Sequence, residues 1–222
     1  MSNIYLLFFS LYWAQGLPVG FMTHALPVIL RANGVSLTQI GGFGLLMLPW
    51  AIKFLWSPWV DRYGSSRWGH YRVWIISTQV LTIITLILIS FMSLQSLQQH
   101  WQLAIFFYAL LCMNTIGATQ DIATDGLAVK QLRQHQQSWG NTFQVIGSRL
   151  GFIVGGGAVL WAMDWLKWQN TFLLLAFMVA FNTIPILFFQ ESKVHLHATK
   201  LTTPIRQTYI RYFFQNKTMH TW

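Results

Sequence analysis

The sequence predicts an all-α integral membrane protein, and three observations carry that prediction. Hydrophobic residues make up 54% of the chain and charged residues 9%, whereas a soluble domain carries about 25% charged residues. Six segments reach the roughly 20 largely apolar residues that a membrane-spanning helix needs. Inside one of them lie Asp121 and Asp125. A carboxylate in the bilayer centre costs about 2.5–3.5 kcal/mol on insertion scales, so it indicates a partner or a task.

The predicted spans are separated by short polar loops, and two of them contain helix breakers. They cover residues 4–30, 40–60, 71–94, 103–129, 139–163 and 170–190. The first has a Gly-Leu-Pro break at Gly16–Pro18, and the second contains Pro49 and Pro58. Such residues are tolerated in membrane helices where neighbouring helices or cavity water satisfy the freed backbone groups. Residues 1–190 are therefore predicted to form one bundle of six helices.

The distribution of Lys and Arg predicts the orientation of the bundle. Of the 14 basic residues, ten fall in segments on one side, and two, Arg31 and Lys167, fall on the other. Lys53 and Arg149 complete the count and lie within spans. Because basic loops face the cytoplasm, both ends of the chain are predicted to be cytoplasmic, in the cytoplasmic (inner) membrane. Residues 191–222 are predicted to be a basic cytoplasmic connection rather than a folded domain.

Composition also excludes several classes of protein. The net charge is +9, but the basic residues lie between apolar runs and form no continuous face, which argues against nucleic acid as a partner. The single cysteine, Cys112, excludes a disulfide framework and a cysteine-based metal site. The first apolar run is too long for a cleavable signal and lacks a basic leader. We expect no metal and no cofactor; the expected partners are lipid, protons and a small-molecule substrate.

The intramembrane charges are predicted to lie at similar depths. From the helical rise, Asp121 lies about 13 Å from the cytoplasmic end of its span, Lys53 about 12 Å and Arg149 about 15 Å. A buried charge without a partner is costly, so we expect Asp121 to neutralise Arg149 or Lys53. Asp125 lies one turn closer to the cytoplasm, near the height of Arg62, and is predicted to latch a gate there. The alternative is that all these charges form structural ion pairs.

Other polar residues and glycines within the spans are secondary candidates. Gly147, Gly151 and Gly155 recur every four residues and predict close packing against a neighbouring helix. The polar side chains could line a cavity or simply bridge helices. These cavity-lining candidates are Tyr12, Gln15, Asn114, Gln120, Asn141 and Gln144.

The loop after the second span carries a recognisable motif. It contains Asp61-Arg62-Tyr63-Gly64 and resembles the Asp-Arg-x-Gly signature between helices two and three of the major facilitator superfamily. The family usually has Gly four residues before that Asp, where this chain has Ser57. The resemblance implies that Asp61, Arg62 and Gly64, with Asp125, belong to a cytoplasmic gate.

Three further segments resemble one branch of that superfamily. They are residues 14–18 (AQGLP), 49–58 (PWAIKFLWSP) and 119–126 (TQDIATDG). They are similar to the muropeptide permeases, acetyl-CoA transporters and siderophore permeases of the rhizobactin and pyochelin type. Residues 120–129 look closest to the siderophore permeases.

The resemblance implies the first half of a twelve-helix transporter. That half is a six-helix N-terminal bundle with an inverted three-plus-three repeat, and it stops before the C-terminal bundle. The weak match between residues 14–17 and 119–122, on spans of opposite direction, fits such a repeat. The implied partner is the missing six-helix half or a second copy.

Three functions from different classes remain open at this point. The first is a proton-coupled permease that imports an anionic or amphipathic solute such as a siderophore, with muropeptides and acyl-CoA-type solutes as alternatives. In it, Lys53 and Arg149 attract the solute and Asp121 carries the proton. The second is an intramembrane aspartyl protease, which needs two facing acids, whereas Asp121 and Asp125 share one helical face; we therefore expect no enzyme. The third is a non-transporting fragment or assembly partner.

Overall fold

A computed structural model of the chain describes residues 2–65, 67–93, 97 and 99–191. Within these ranges the ordered elements are helices, and one isolated bridge joins Ser65 to Gly69. The chain is thus an all-α membrane protein. The basic connection predicted for residues 191–222 lies outside the described residues from residue 192 onward.

The described residues form nine α-helices, joined in places by turns of other helix types. The α-helices are α1 (Ser2–Gly20), α2 (Leu26–Ala32), α3 (Leu37–Gly42), α4 (Leu48–Ile52), α5 (Ser57–Arg62), α6 (His70–Ser90), α7 (His100–Gln131), α8 (Gln134–Ile153) and α9 (Val159–Phe188). Turns of π-helix at Phe21–Ala25 and Val154–Ala158 join α1 to α2 and α8 to α9. Turns of 3-10 helix at Phe43–Met47 and Lys53–Leu55 flank α4.

Five helical stretches are long and apolar enough to cross a membrane within the described part of the chain. They are Ile4–Ala32, Leu37–Leu55, His70–Ser90, His100–Gln131 and Gln134–Phe188. The last has 55 residues, which as a straight helix would measure about 80 Å, far more than the roughly 30 Å of a hydrocarbon core. Inside it, Lys167 has φ 59° and ψ 174°, so the helix turns sharply between the fifth and sixth predicted spans.

The predicted break at Gly16–Pro18 does not interrupt the first helix. Pro18 lies inside α1, and the chain stays helical to Ala32. A proline removes one backbone donor from the helical ladder, and the π-helical turn that begins three residues later is a place where the ladder changes register. The prediction of a break was wrong because helical geometry absorbs the proline locally.

The second predicted span is divided into short pieces. Pro49 and Pro58 lie in the first turns of α4 and α5, where a missing N–H leaves no carbonyl unpaired. The 3-10 turn Lys53–Leu55 lies between these helices. Since a 3-10 turn has fewer residues per turn than an α-helix, the side chains along this segment depart from the α-helical period.

Glycines bring α8 into contact with α1. A methyl group added at Gly147, Gly151 or Gly155 would lie 2.7 Å or less from a backbone oxygen of α1. From the other side, a methyl group on Gly16 or Gly20 would lie 2.6 Å from the backbone of α8. The two backbones therefore approach as closely as glycines allow, which is how small residues associate membrane helices. The structure places the predicted small-residue stripe on this contact.

The interior of the bundle has two apolar clusters with a polar layer between them. One cluster includes Phe21, Phe106 and Phe172. The other includes Phe8 and Ile75. The layer between them consists of buried polar residues from α1, α6, α7 and α9, namely Gln15, Gln79, Thr82, Asn114, Gln120, Asp121 and Thr183. Gln15 and Asp121 bond to each other in this layer, so the candidate site lies within it.

Candidate functional site

Asp121 lies in the polar layer and holds a cation from the second span. The ammonium of Lys53 donates a hydrogen bond to Asp121 Oδ2 and forms an ion pair with it. Gln15 Nε2 on α1 donates to Asp121 Oδ1 at 3.0 Å. The carboxylate is therefore neutralised by one neighbour and hydrogen-bonded by another, so three helical segments meet on this side chain. Of the two cations predicted as partners, the structure selects Lys53.

Arg149 is not part of this cluster. Its side chain is exposed on α8, and the guanidinium lies 5.8 Å from the ring centroid of Phe152. The described residues give it no carboxylate partner. The depth estimate placed Arg149 and Asp121 at one level, but a helix also has a rotation about its axis. In the structure α8 is rotated so that its glycines face α1, and this orientation leaves the Arg149 side chain exposed.

Asp125 has a different partner from the one predicted. Tyr12 of α1 donates its hydroxyl hydrogen to Asp125 Oδ1. Arg62, the predicted partner, is exposed, and no ion pair joins it to a described acid. The pairing of Asp125 with Arg62 is thus wrong in this structure, because Asp125 faces the bundle interior rather than the loop. Asp121 and Asp125 also bind separate partners, which does not support an acid pair that shares one proton.

The gate loop is held to α6 and α7 by aromatic side chains. The Tyr71 hydroxyl donates to Asp61 Oδ1 at 3.1 Å. A side chain at Gly64 would overlap the ring of His70, and a methyl group at Gly126 would lie 2.5 Å from the Tyr71 ring. Both glycines therefore leave room for rings that pack the loop after α5 against the ends of α6 and α7.

A second buried carboxylate escaped the sequence analysis. The Glu191 side chain is 1% exposed and forms an ion pair of 2.6 Å with Lys130 at the end of α7. Its Oε2 accepts the backbone N–H groups of Tyr71 and Arg72 at 3.0 and 3.1 Å, at the start of α6. A carboxylate at a helix N-terminus is favourable because the helix dipole is positive there. The only sequence signal for this residue is its position, since Glu191 is the last acid in the chain and directly follows the sixth predicted span.

A cavity opens beside Asp121, between α1, α4, α7 and α8. Its empty volume is about 530 Å³, part of it open to the surroundings. Asp121 borders it, as do three of the six cavity-lining candidates, Tyr12, Gln15 and Gln144, while Asn141 is exposed and does not. Asn114 and Gln120 border a smaller neighbouring space with Gln15. Trp50 also borders the cavity, and sequence reasoning missed it because an apolar span rich in aromatic residues gives no signal for one particular indole.

Comparison with known proteins identifies the family. The family model described as acetyl-coenzyme A transporter 1 matches residues 3–173. That range includes every residue that lines the cavity, the gate loop from Asp61 to Gly64, and all of the polar layer except Thr183. The chain belongs to the acetyl-coenzyme A transporter 1 family. This is a family of permeases of the major facilitator type, as the motifs in the first, second and fourth spans predicted.

Several proteins similar to this chain are named as permeases or transporters. The anhydromuropeptide permease of Escherichia coli K12 is 33% identical over 165 residues, which cover 74% of this chain and 33% of the relative. An uncharacterized protein of Haemophilus influenzae is 31% identical over 207 residues, 91% of this chain and 47% of the relative. A putative transporter of Rickettsia felis, named AmpG 4, is 28% identical over 200 residues, 88% of this chain and 47% of the relative. The chain therefore spans a third to a half of the length of these relatives.

Proposed function

We propose that this chain supplies six membrane-crossing helices of a proton-coupled permease of the cytoplasmic membrane. A second six-helix bundle, or a second copy of the chain, completes the substrate path. The observation that carries the proposal is the Lys53–Asp121 ion pair, which lies in the polar layer beside a cavity. Ionisable residues inside a membrane bundle mark substrate and proton pathways, and transporter sites lie near the midplane between helices.

The crossing pattern and the orientation rest on local features. The turn at Lys167 divides the longest helix into two crossings, which gives six. The start of α6 and the ends of α7 and α9 meet at Glu191. Lys130 and Arg72 at this end belong to the ten basic residues predicted to be cytoplasmic. Because an excess of Lys and Arg faces the cytoplasm, this end of the bundle is the cytoplasmic one.

The solute is of the muropeptide kind rather than a siderophore. The anhydromuropeptide permease among the relatives supports this alternative, as does the chemistry of the cavity, which presents amides and hydroxyls from Gln15, Gln144, Tyr12 and Ser148. A muropeptide joins sugar rings to a short peptide and is rich in the amide and hydroxyl groups that such side chains can bind.

Asp121 is the proton-linked acid. Protonating this carboxylate removes the charge that holds Lys53, so the second span loses its ionic contact with α7 while the Trp50–Asn114 hydrogen bond remains. Such a contact has two discrete states, and the proton favours one of them, which is what coupling requires. Binding of a solute next to Gln15, which also bonds to Asp121, acts on the same contact.

The test is uptake of labelled anhydromuropeptide into proteoliposomes that contain the complete transporter. Asp121→Asn is expected to abolish accumulation driven by a pH gradient while leaving exchange of labelled for unlabelled solute across the membrane. Asp164→Asn, which changes an exposed acid on α9, is the matched control and should accumulate solute like the wild type. Unchanged accumulation by Asp121→Asn would overturn the coupling role. No uptake and no exchange by the wild type would overturn transport of this solute and favour an assembly partner.

A further inference from the structure

Trp50 is an indole held in a fixed orientation at the edge of the cavity. It lies in α4, and its Nε1–H donates to Asn114 Oδ1 on α7 at 3.0 Å. The edge of the ring lies against the backbone of α7, where a methyl group on Gly117 would be 3.7 Å from Cζ2. The hydrogen bond fixes the polar edge of the indole, and Gly117 leaves room for the other edge. A ring anchored in this way loses little freedom when a ligand packs on it.

The groups around Trp50 are polar, and the two charged ones, Asp121 and Lys53, neutralise each other in an ion pair. The cavity that it borders also has the hydroxyls of Tyr12 and Ser148 and the amides of Gln15 and Gln144. Gln15 Oε1 is buried without a hydrogen-bond partner among the described residues, so this acceptor is available to a donor in the cavity. Such a wall combines one flat apolar surface with several donors and acceptors, as small-molecule sites do.

This combination favours a sugar ring over a charged nucleotide. One face of a pyranose carries C–H groups, which pack on an aromatic face, while hydroxyls and an N-acetyl group around its rim make hydrogen bonds. A coenzyme A would bring a pyrophosphate, which calls for Lys or Arg. The described lining residues include neither, and the nearby ammonium of Lys53 is already paired with Asp121.

We propose that Trp50 forms a sugar-binding subsite, in which the indole stacks on the pyranose ring of an N-acetylated sugar and Gln15 accepts a hydrogen bond from it. The inference rests on the proposed function, since it names the part of a muropeptide that this wall of the cavity binds. Lys53 Nζ lies over one face of the Trp50 ring, 5.7 Å from its centroid, so the proposed stacking uses the opposite face. The sugar subsite is therefore adjacent to the ion pair that we assign to proton coupling.

The test is equilibrium binding to the complete protein in lipid nanodiscs with three probes: an anhydromuropeptide, its anhydro-disaccharide alone and its peptide alone. Trp50→Leu removes the aromatic face, and stacking contributions of about 0.5–1.5 kcal/mol correspond to an increase in Kd of about two- to tenfold. We expect this increase for the two probes that contain sugar and none for the peptide. Trp50→Phe keeps a ring without the N–H and should lose less. Trp161→Leu, an exposed indole outside the cavity lining, is the matched control.

The outcomes separate this proposal from the proposed function. Equal losses for the sugar and peptide probes, or sugar binding by Trp50→Leu that equals the wild type, would overturn the subsite even if transport persists. Disaccharide binding that depends on Trp50 supports the subsite even if proton-driven uptake fails. A wild type that binds none of the three probes overturns both. Thermal unfolding of each variant in detergent, together with retained binding by Trp50→Phe, distinguishes a lost subsite from a lost fold.

Discussion

The hydroxyl of Tyr12 on α1 donates a hydrogen bond to the carboxylate of Asp125 on α7. One turn away, Gln15 on α1 bonds to Asp121 on α7. The residue number rises along α1 as it falls along α7, so the two helices run in opposite directions at this contact. Opposite directions are what the sequence predicted for the first and fourth spans. Two side-chain hydrogen bonds, one helical turn apart, thus join these antiparallel helices.

Removing the Tyr12 hydroxyl should destabilise the bundle. Tyr12→Phe leaves a half-buried Asp125 carboxylate without its donor, and an unsatisfied buried charge costs about 1–3 kcal/mol or more. Thermal unfolding in detergent should show a lower Tm, whereas Tyr108→Phe, at an exposed tyrosine, should not. In the double variant Tyr12→Phe with Asp125→Asn, most of the loss should disappear, because no charge remains unpaired. Additive losses would contradict the pairing.

Lys53 should matter for stability much more than Arg149. Lys53→Met leaves Asp121 as a buried acid without its cation, and since the Lys53 side chain is 31% exposed we expect a loss of about 1–3 kcal/mol rather than the full value of a buried pair. Arg149→Met removes an exposed cation and should change the free energy of unfolding by less than about 0.5 kcal/mol. The measurement is denaturant unfolding in micelles. Equal effects of the two variants would show that Lys53 is not the partner that Asp121 requires.

The contact between α1 and α8 should not tolerate a methyl group. In Gly151→Ala the new Cβ would lie 2.7 Å from the Trp13 carbonyl oxygen and 2.8 Å from Gly16 Cα, so one backbone must move, at a cost of about 1–3 kcal/mol. Gly157→Ala is the matched control, since nothing lies within 4 Å of its added Cβ. We expect a lower Tm and lower yield for Gly151→Ala and near wild-type values for Gly157→Ala. The same Tm for both variants would contradict this packing.

The sequence predicted contacts that depend on depth along a helix better than contacts that depend on rotation about the helix axis. Depth along a helix follows from counting residues, and it placed Lys53 level with Asp121, where the structure brings them together. Rotation about the axis does not follow from counting within one chain, and it decides that Asp125 faces Tyr12 and that Arg149 is exposed. The positions of the helices were predictable because 20 apolar residues in succession have few alternatives in a membrane.

Contacts between segments far apart in the chain were the least predictable. Glu191 is 61 residues from Lys130 and 120 residues from Tyr71, so no local spacing indicates that one carboxylate serves both. The fragmented second span likewise depends on 3-10 turns that hydropathy does not encode. In both cases, packing against neighbouring helices decides which local conformation is adopted.

The Glu191 carboxylate should stabilise the first turn of α6 against local unfolding. Its Oε2 accepts two backbone N–H groups, from Tyr71 and Arg72, and its Oε1 binds Lys130. Glu191→Gln removes the charge that strengthens these bonds, and hydrogen bonds to charged groups contribute about 1.5–3 kcal/mol each. Amide hydrogen exchange at the start of α6 should therefore become at least about tenfold faster, since 1.4 kcal/mol of lost protection is a factor of ten. The control is Asp164→Asn, at an exposed acid of α9, which should leave the exchange rate at the start of α6 unchanged. If Glu191→Gln also leaves that rate unchanged, then the start of α6 does not need the Glu191 carboxylate.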